Sequence, residues 1–254
     1  MRHLGPRFCG AWRNPRVPSV IPGTLGAVEA ARGLGGGFVH RLAPSDRDEL
    51  TAAGRVRRYP RGAAVFLEGD ASDFVVLILE GRTKIVASTA EGTEALLSIR
   101  GSGDIVGELA AIDASAARRT ASVIALEPLV CRVVQREEFL AFLERHPAAA
   151  IELLRMIASR LRHADRRRVE FGAYDTARRV ARVLVDLIGE PDGAPTGTVY
   201  AGSGLSQQEL AGLVGASRES VARALNVLRQ QGVLATARRS VTVLDFERLR
   251  VYAG

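Results

Sequence analysis

The chain has 254 residues, 47% of them apolar, enough for two ordinary domains that each bury a core. Its formal charge is +7, but residues 1–36 carry five Arg against one Glu, whereas residues 171–254 carry a net +2, so the global excess says little about nucleic acid. Cys9 and Cys131 lie far apart without C-x-x-C or Cys/His spacing, which excludes a disulfide framework and a zinc site, and no run approaches the roughly 18 to 20 apolar residues of a membrane span.

Residues 1–36 mix Pro, Gly and Arg without helical or strand period and end in a Gly-rich run, so a disordered tail or sequence upstream of the true start is expected there. The four histidines, His3, His40, His146 and His163, are scattered and read as surface or packing residues. A cytoplasmic location is expected, since no apolar signal-peptide core follows the Arg-bearing start. Lys84 is the sole lysine; every other basic side chain that is not His is Arg.

From Tyr59 to about Val134 short β-rich runs alternate with turn signals: 64–67, Glu68-Gly69-Asp70, 75–79, Glu80-Gly81, then 84–86, 95–99, 121–125 and 129–134. Many short strands punctuated by Gly predict a β-sandwich or barrel. After Arg136 the period becomes helical, first through Phe139 and Phe142 to His146-Pro147, then in a long helix from about 148 to 170. Along it Ala150, Leu154, Ile157, Leu161, Ala164, Arg168 and Phe171 alternate steps of four and three, a heptad seam that asks for a partner helix. Packing on the β domain is the alternative use of that stripe.

Phe171-Gly172-Ala173-Tyr174 breaks the pattern, which places a domain boundary and hinge there. Asp175 can then cap a helix with Val180, Val183, Leu184, Leu187 and Ile188 inward, followed by a loop over 189–204. Ser206 with Glu209 three residues on is a capping box for a short helix that continues through Gln207 and buries Leu210 and Leu213. Gly215 marks its end. Ser217 caps a second helix with Val221, Leu225 and Leu228 inward, which leaves Arg218, Glu219, Ser220 and Arg223 on or near the outer face of its first turns.

The first residues of a helix-turn-helix recognition helix are those that reach base edges in the major groove. Arg can pair with guanine O6 and N7 together, and Glu can accept from cytosine N4. An αα-hairpin with a charged face would show the same two helices. The flanks favour DNA: Val233-Leu234 and Val241-Thr242-Val243-Leu244 bracket Arg238-Arg239, which fits a β-wing carrying two guanidiniums beside phosphates.

The run Ser217-Arg218-Glu219-Ser220-Val221-Ala222-Arg223 resembles the recognition helix of the CRP/FNR family of bacterial regulators, and the resemblance spans about residues 40–250. Gly107-Glu108-Leu109-Ala110 followed by Arg119-Thr120-Ala121 resembles the phosphate-binding cassette of that family's sensor domain. The resemblance implies an α+β fold: an antiparallel, jelly-roll-like β-roll sensor over 37–147, a dimerisation helix over 148–171, and a winged helix-turn-helix over 172–254. It also implies a homodimer on palindromic double-stranded DNA, with RNA polymerase as a partner if the protein is an activator. In the cassette Gly107 lets backbone approach a ligand, Glu108 can accept from a ribose hydroxyl, and Arg119 with Thr120 can hold a cyclic phosphate. Without the family pattern, a β-hairpin with a surface Arg would be the plainer reading.

Two departures bear on the effector. The segment between Glu108 and Arg119 is longer than in close relatives, and Arg118 could compete for the phosphate. Where the family carries a Thr-Ser pair against adenine, this chain has Ala164-Asp165, and an ionised Asp165 only accepts hydrogen bonds. Cyclic AMP or a related cyclic nucleotide is thus one effector expected, with a cyclic di-GMP-responsive or nucleotide-independent regulator of the same fold as the alternative. A sensor module acting on a protein partner is the reading from another class. No metal, haem or iron–sulfur cluster is expected, and the absence of G-x-S-x-G, H-E-x-x-H and G-x-x-x-x-G-K motifs speaks against an enzyme.

Overall fold

A computed structural model describes residues 37–71, 73–88, 94–113, 118–188, 199–203, 205–237 and 240–254. Residues 1–36 and the Arg238-Arg239 pair lie outside the described residues. The order begins with two short helices, α1 (Phe38–Arg41) and α2 (Pro44–Ala52), ahead of strand β1 (Arg55–Tyr59). Then come β2 (Ala64–Phe66), β3 (Phe74–Glu80), β4 (Thr83–Ser88), β5 (Glu94–Arg100), β6 (Ile105–Val106), α3 (Glu108–Ile112), β7 (Ser122–Ala125) and β8 (Leu129–Gln135). These eight strands form two four-stranded antiparallel sheets, β1-β8-β3-β6 and β2-β7-β4-β5. The sequence reading begins one strand late, because β1 is Arg-Val-Arg-Arg-Tyr and takes its conformation from pairing with β8 rather than from an apolar pattern.

Strand β3 explains why its apolar residues run without interruption. Val76 and Ile78 face the interior between the sheets with Phe66, Val106, Val123 and Leu129, while Val75 and Leu77 face a second core with Phe38, Phe139, Leu153 and Met156. A strand covered on both faces has no polar side to show. The second core is roofed by α1, α2, α4 (Arg136–Arg145) and the first half of α5 (Pro147–Ala173). Pro147 begins α5, where a missing N–H costs nothing. The helix runs through Gly172 and ends at Tyr174, whose backbone is extended, so the break falls slightly later than the sequence predicts.

Helix α6 (Thr176–Ile188) follows, with Arg178 N donating to Asp175 Oδ1 at 2.8 Å. The rest of the chain comprises β9 (Val199–Ser203), α7 (Gln207–Val214), α8 (Arg218–Gln230), β10 (Leu234–Ala237), β11 (Ser240–Val243) and α9 (Phe246–Ala253). The expected hairpin pairs Leu234 with Val243 and Ala237 with Ser240. The segment 189–204, expected as loop throughout, contributes the third strand of this sheet, since β9 pairs with β11. Glycine at 202 and small residues make that strand invisible to periodicity; long-range pairing creates it. Among the described residues no helix is long and apolar enough to cross a membrane.

The capping box forms: Ser206 Oγ accepts from Glu209 N at 3.1 Å, and Ser206 N donates to Glu209 Oε2 at 2.8 Å. Replacing Ser206 by Ala is expected to destabilise the C-terminal domain by about 0.5–2 kcal/mol. A thermal unfolding midpoint unchanged from wild type would contradict this. Gly215 then turns the chain at φ 63°, ψ 45°, with Phe171 packed so close that a Cβ there would lie 2.6 Å from its ring.

Candidate functional site

The start of α8 is held by its cap and left open to solvent. Ser217 Oγ accepts from Ser220 N at 3.1 Å, and Arg223 Nη2 donates to Ser220 Oγ at 2.9 Å. Ser217, Arg218, Glu219 and Arg223 are exposed, and Ser220 is half-buried among them. Gln207, at the first position of α7, shares a shallow depression with Ser217, Arg218 and Glu219. The hydroxyl of Ser206 is committed to the capping box instead. Val221, Ala224, Leu225 and Leu228 on the opposite face are buried, and α8 packs against α6 and α7. Cationic and anionic side chains therefore stand on a rigid, outward-facing helix start.

A second feature is a cavity of about 430 Å³ between the β-roll, α5 and α6. Gly107, Glu108, Leu109, Ala110, Arg119 and Thr120 all line it, so the cassette residues separated in sequence converge. They form a turn and a short helix rather than a hairpin with a surface Arg. Gly107 has φ 83°, and a Cβ there would lie 2.4 Å from Arg119 Nη1. Arg119 is only 3% exposed; its guanidinium lies over the rings of Phe66 and Phe74, 4.1 and 4.4 Å from their centroids. Its Nη2 donates to Phe74 O at 2.7 Å and Nη1 to Gly107 O at 3.2 Å, while Nε is buried without a partner. Burial lowers its pKa, opposed by Asp73, Asp70 and Glu108. A buried cation with a spare donor is suited to an anionic oxygen.

Arg118 does not line the cavity: it is exposed and donates to Gly69 O at 2.7 Å, so it is occupied elsewhere. Asp165 is also exposed and outside the lining, whereas its neighbours His163 and Ala164 are within it. The sequence reading did not single out Arg160, whose Nη1 donates to Glu108 Oε1 at 2.6 Å and whose Nη2 donates to Ile105 O at 3.0 Å. Leu153, Met156, Arg160, His163 and Arg167 recur at helical spacing one residue ahead of the heptad seam, which is the signal that could have found them. Arg100 also lines the cavity, and its pKa is pushed down to about 10, first by burial and then by the Arg160 cation.

The two stripes of α5 are used differently. Ala149, Leu153 and Met156 are buried against the sensor core. Of the seam, Leu154 is 61% exposed and Leu161 63% exposed, Ala164, Arg168 and Phe171 are exposed too, and Ala150 and Ile157 are half-buried. Exposed leucines spaced seven apart on one helix form an apolar strip that this chain does not itself cover.

The C-terminal domain is docked on the β-roll. Lys84 Nζ on β4 lies 3.0 Å from Glu209 Oε1 on α7, both side chains less than a fifth exposed, and Leu96 on β5 packs against Gly212. Burial pushes the Glu209 carboxyl up, but hydrogen bonds from Ser206 and the Lys84 ammonium outweigh this and hold it below the usual range. Burial pushes the Cys131 thiol up to about 11, which leaves it unreactive. Among the described residues no group of three or more His, Cys, Asp or Glu could hold a metal ion.

Comparison with known proteins gives two family matches: the Cyclic nucleotide-binding domain over residues 56–146 and the Crp-like helix-turn-helix domain over residues 178–252. The chain is 31% identical over 212 residues to a Cyclic AMP receptor protein of Thermus thermophilus, covering 83% of this chain and 94% of that one. It is 32% identical over 213 residues to a CRP-like cAMP-activated global transcriptional regulator of Mycobacterium tuberculosis, covering 84% of this chain and 94% of that one. Among solved structures, the c-di-GMP responsive global regulator CLP of Xanthomonas campestris superposes with a TM-score of 0.66 at 24% identity, over 80% of this chain and 99% of that one.

Proposed function

The chain belongs to the CRP/FNR family of transcription regulators and is not an enzyme, and from that membership we propose that it is a homodimer gated by a cyclic nucleotide. In this reading residues 37–147 are the sensor, 148–171 the dimerisation helix and 172–254 the DNA-binding domain. The observation that carries the regulator half is the capped start of α8, where Arg218, Glu219 and Arg223 stand exposed and fixed by Ser217 and Ser220. Gln207 and the Arg238-Arg239 pair take phosphates, and Arg218, Glu219 and Arg223 read bases, while Ser206 acts through the capping box.

The effector half is supported by the convergence of Gly107, Glu108, Arg119 and Thr120 on one cavity, and by the buried Arg119 guanidinium, whose Nε has no partner. The relatives named for cyclic AMP support that nucleotide over others. Ligand acts by binding one docking arrangement of the two domains better than another; a difference of a few kcal/mol is sufficient. The site of action is the cytoplasm, and RNA polymerase is the partner if the protein activates.

Genomic DNA bound by the full chain, recovered with and without cyclic AMP, tests both halves. A palindrome with half-sites about one helical turn apart is expected, with recovery dependent on the nucleotide. Enrichment of no motif would overturn the regulator reading. Enrichment of the motif with no response to cyclic AMP, cyclic GMP or cyclic di-GMP would leave a constitutive regulator.

A further inference from the structure

The cavity is not built by the sensor alone. Asp186 and Leu187 of α6, with Leu213 of α7, line it together with the cassette, and both helices belong to the DNA-binding domain. Val180, Val183, Leu184 and Ile188 on α6 are consumed by that domain's own core. A neighbouring stripe faces α5: Arg179 lies over the Phe171 ring, 5.5 Å from its centroid, Arg182 pairs with Glu170 at 2.8 Å, and Asp186 comes one turn later. Asp186 is half-buried and, among the described residues, makes no hydrogen bond or ion pair.

A carboxylate is acceptor-only, and a partly desolvated one without a donor is costly. Burial raises its pKa, while Arg167, His163, Arg182 and Arg166 oppose that rise and favour the ionised form. Arg167 directs Nη1 to Leu97 O at 2.8 Å, and Arg182 is taken by Glu170, so two of the nearby cations are engaged elsewhere. Beside the carboxylate, Leu187, Leu213 and Ala164 offer an apolar surface of the kind on which a planar base lies. The cavity therefore combines an anion-binding group, Arg119, with a carboxylate acceptor supplied by α6.

We propose that Asp186 accepts a hydrogen bond from the amino group of a purine cyclic nucleotide whose phosphate lies at Arg119, so that the DNA-binding domain itself supplies part of the effector site. This rests on the cyclic-nucleotide reading above. The Lys84–Glu209 pair and the Leu96–Gly212 contact hold that wall in place, so effector affinity and domain docking are one linked equilibrium.

The test is calorimetric titration of the full-length wild type, Asp186→Ala and Arg119→Gln with cyclic AMP and with its analogue lacking the 6-amino group. Removing the amino group is expected to weaken wild-type binding about ten- to hundredfold, as for a hydrogen bond to a charged group. In Asp186→Ala, which has no acceptor, cyclic AMP itself binds more weakly by a similar factor, and the analogue suffers little further loss. A residue that merely props up the wall would weaken both ligands equally and leave the wild-type-like ratio between them, which would overturn the proposal. If wild type binds cyclic AMP and Arg119→Gln does not, but Asp186→Ala matches wild type, this inference fails and the effector reading stands. Absence of any binding to wild type overturns both.

Discussion

Replacing Arg218 or Arg223 by Ala is expected to erase selective binding to the operator while leaving the oligomeric state as in wild type. Each guanidinium that pairs with a guanine edge contributes about 1–3 kcal/mol of discrimination, or about five- to 150-fold per half-site. A palindrome is read twice, so the loss per dimer compounds. Both side chains are exposed on a helix whose inner face is already buried, so truncating them removes no core contact. Arg223 is the more pre-organised of the two because Ser220 Oγ holds it at 2.9 Å. Fluorescence anisotropy at one fixed salt concentration, with the selected operator against a shuffled duplex, gives the ratio that matters. An unchanged ratio in both variants would transfer the function of α8 to a protein partner.

The second large effect lies on α5. Leu154→Glu with Leu161→Glu puts two carboxylates on a strip that is more than half exposed in the single chain. Glu is a good helix former, so α5 itself survives the change. Full burial of a Leu is worth about 1.5–3 kcal/mol, and a symmetric pair of helices buries each position twice. Since each Leu is about 60% exposed in the single chain, the expected loss is about 4 kcal/mol or more, which raises the dimer dissociation constant by about three orders of magnitude. Sedimentation velocity at micromolar protein should then show a monomer, and operator affinity should fall with it because only one half-site is held at a time. A variant that still sediments as a dimer would place the interface elsewhere.

These two expectations and the inference at Asp186 concern one mechanical unit. Helix α5 carries the apolar strip on one stripe and Arg160, His163 and Arg167 on another, while its last turn places Phe171 beneath Gly215 at the turn between α7 and α8. A shift of α5 relative to α6 would therefore be transmitted to the turn before α8 through the Phe171–Gly215 contact. The sole lysine of the chain, Lys84, joins the β-roll to α7 through Glu209, the capping-box partner of Ser206.

What the sequence by itself determined is local. The capping box at Ser206, the cap at Ser217, the left-handed Gly215 and the inward stripe of α8 depend on residues within a few positions of one another, so their spacing is sufficient to place Arg218, Glu219 and Arg223 outward. The heptad spacing of α5 is local in the same sense. Only the tertiary structure decided that Asp186 of α6 lines the cavity, whereas Asp165, which the family resemblance points to, is exposed and outside the lining. It also decided that Arg119 is buried between two Phe rings, that Arg160 engages Glu108, and that 199–203 is a strand. Those facts depend on the docking of segments far apart in the chain, where burial and pairing are properties of the contact and not of either segment's own pattern.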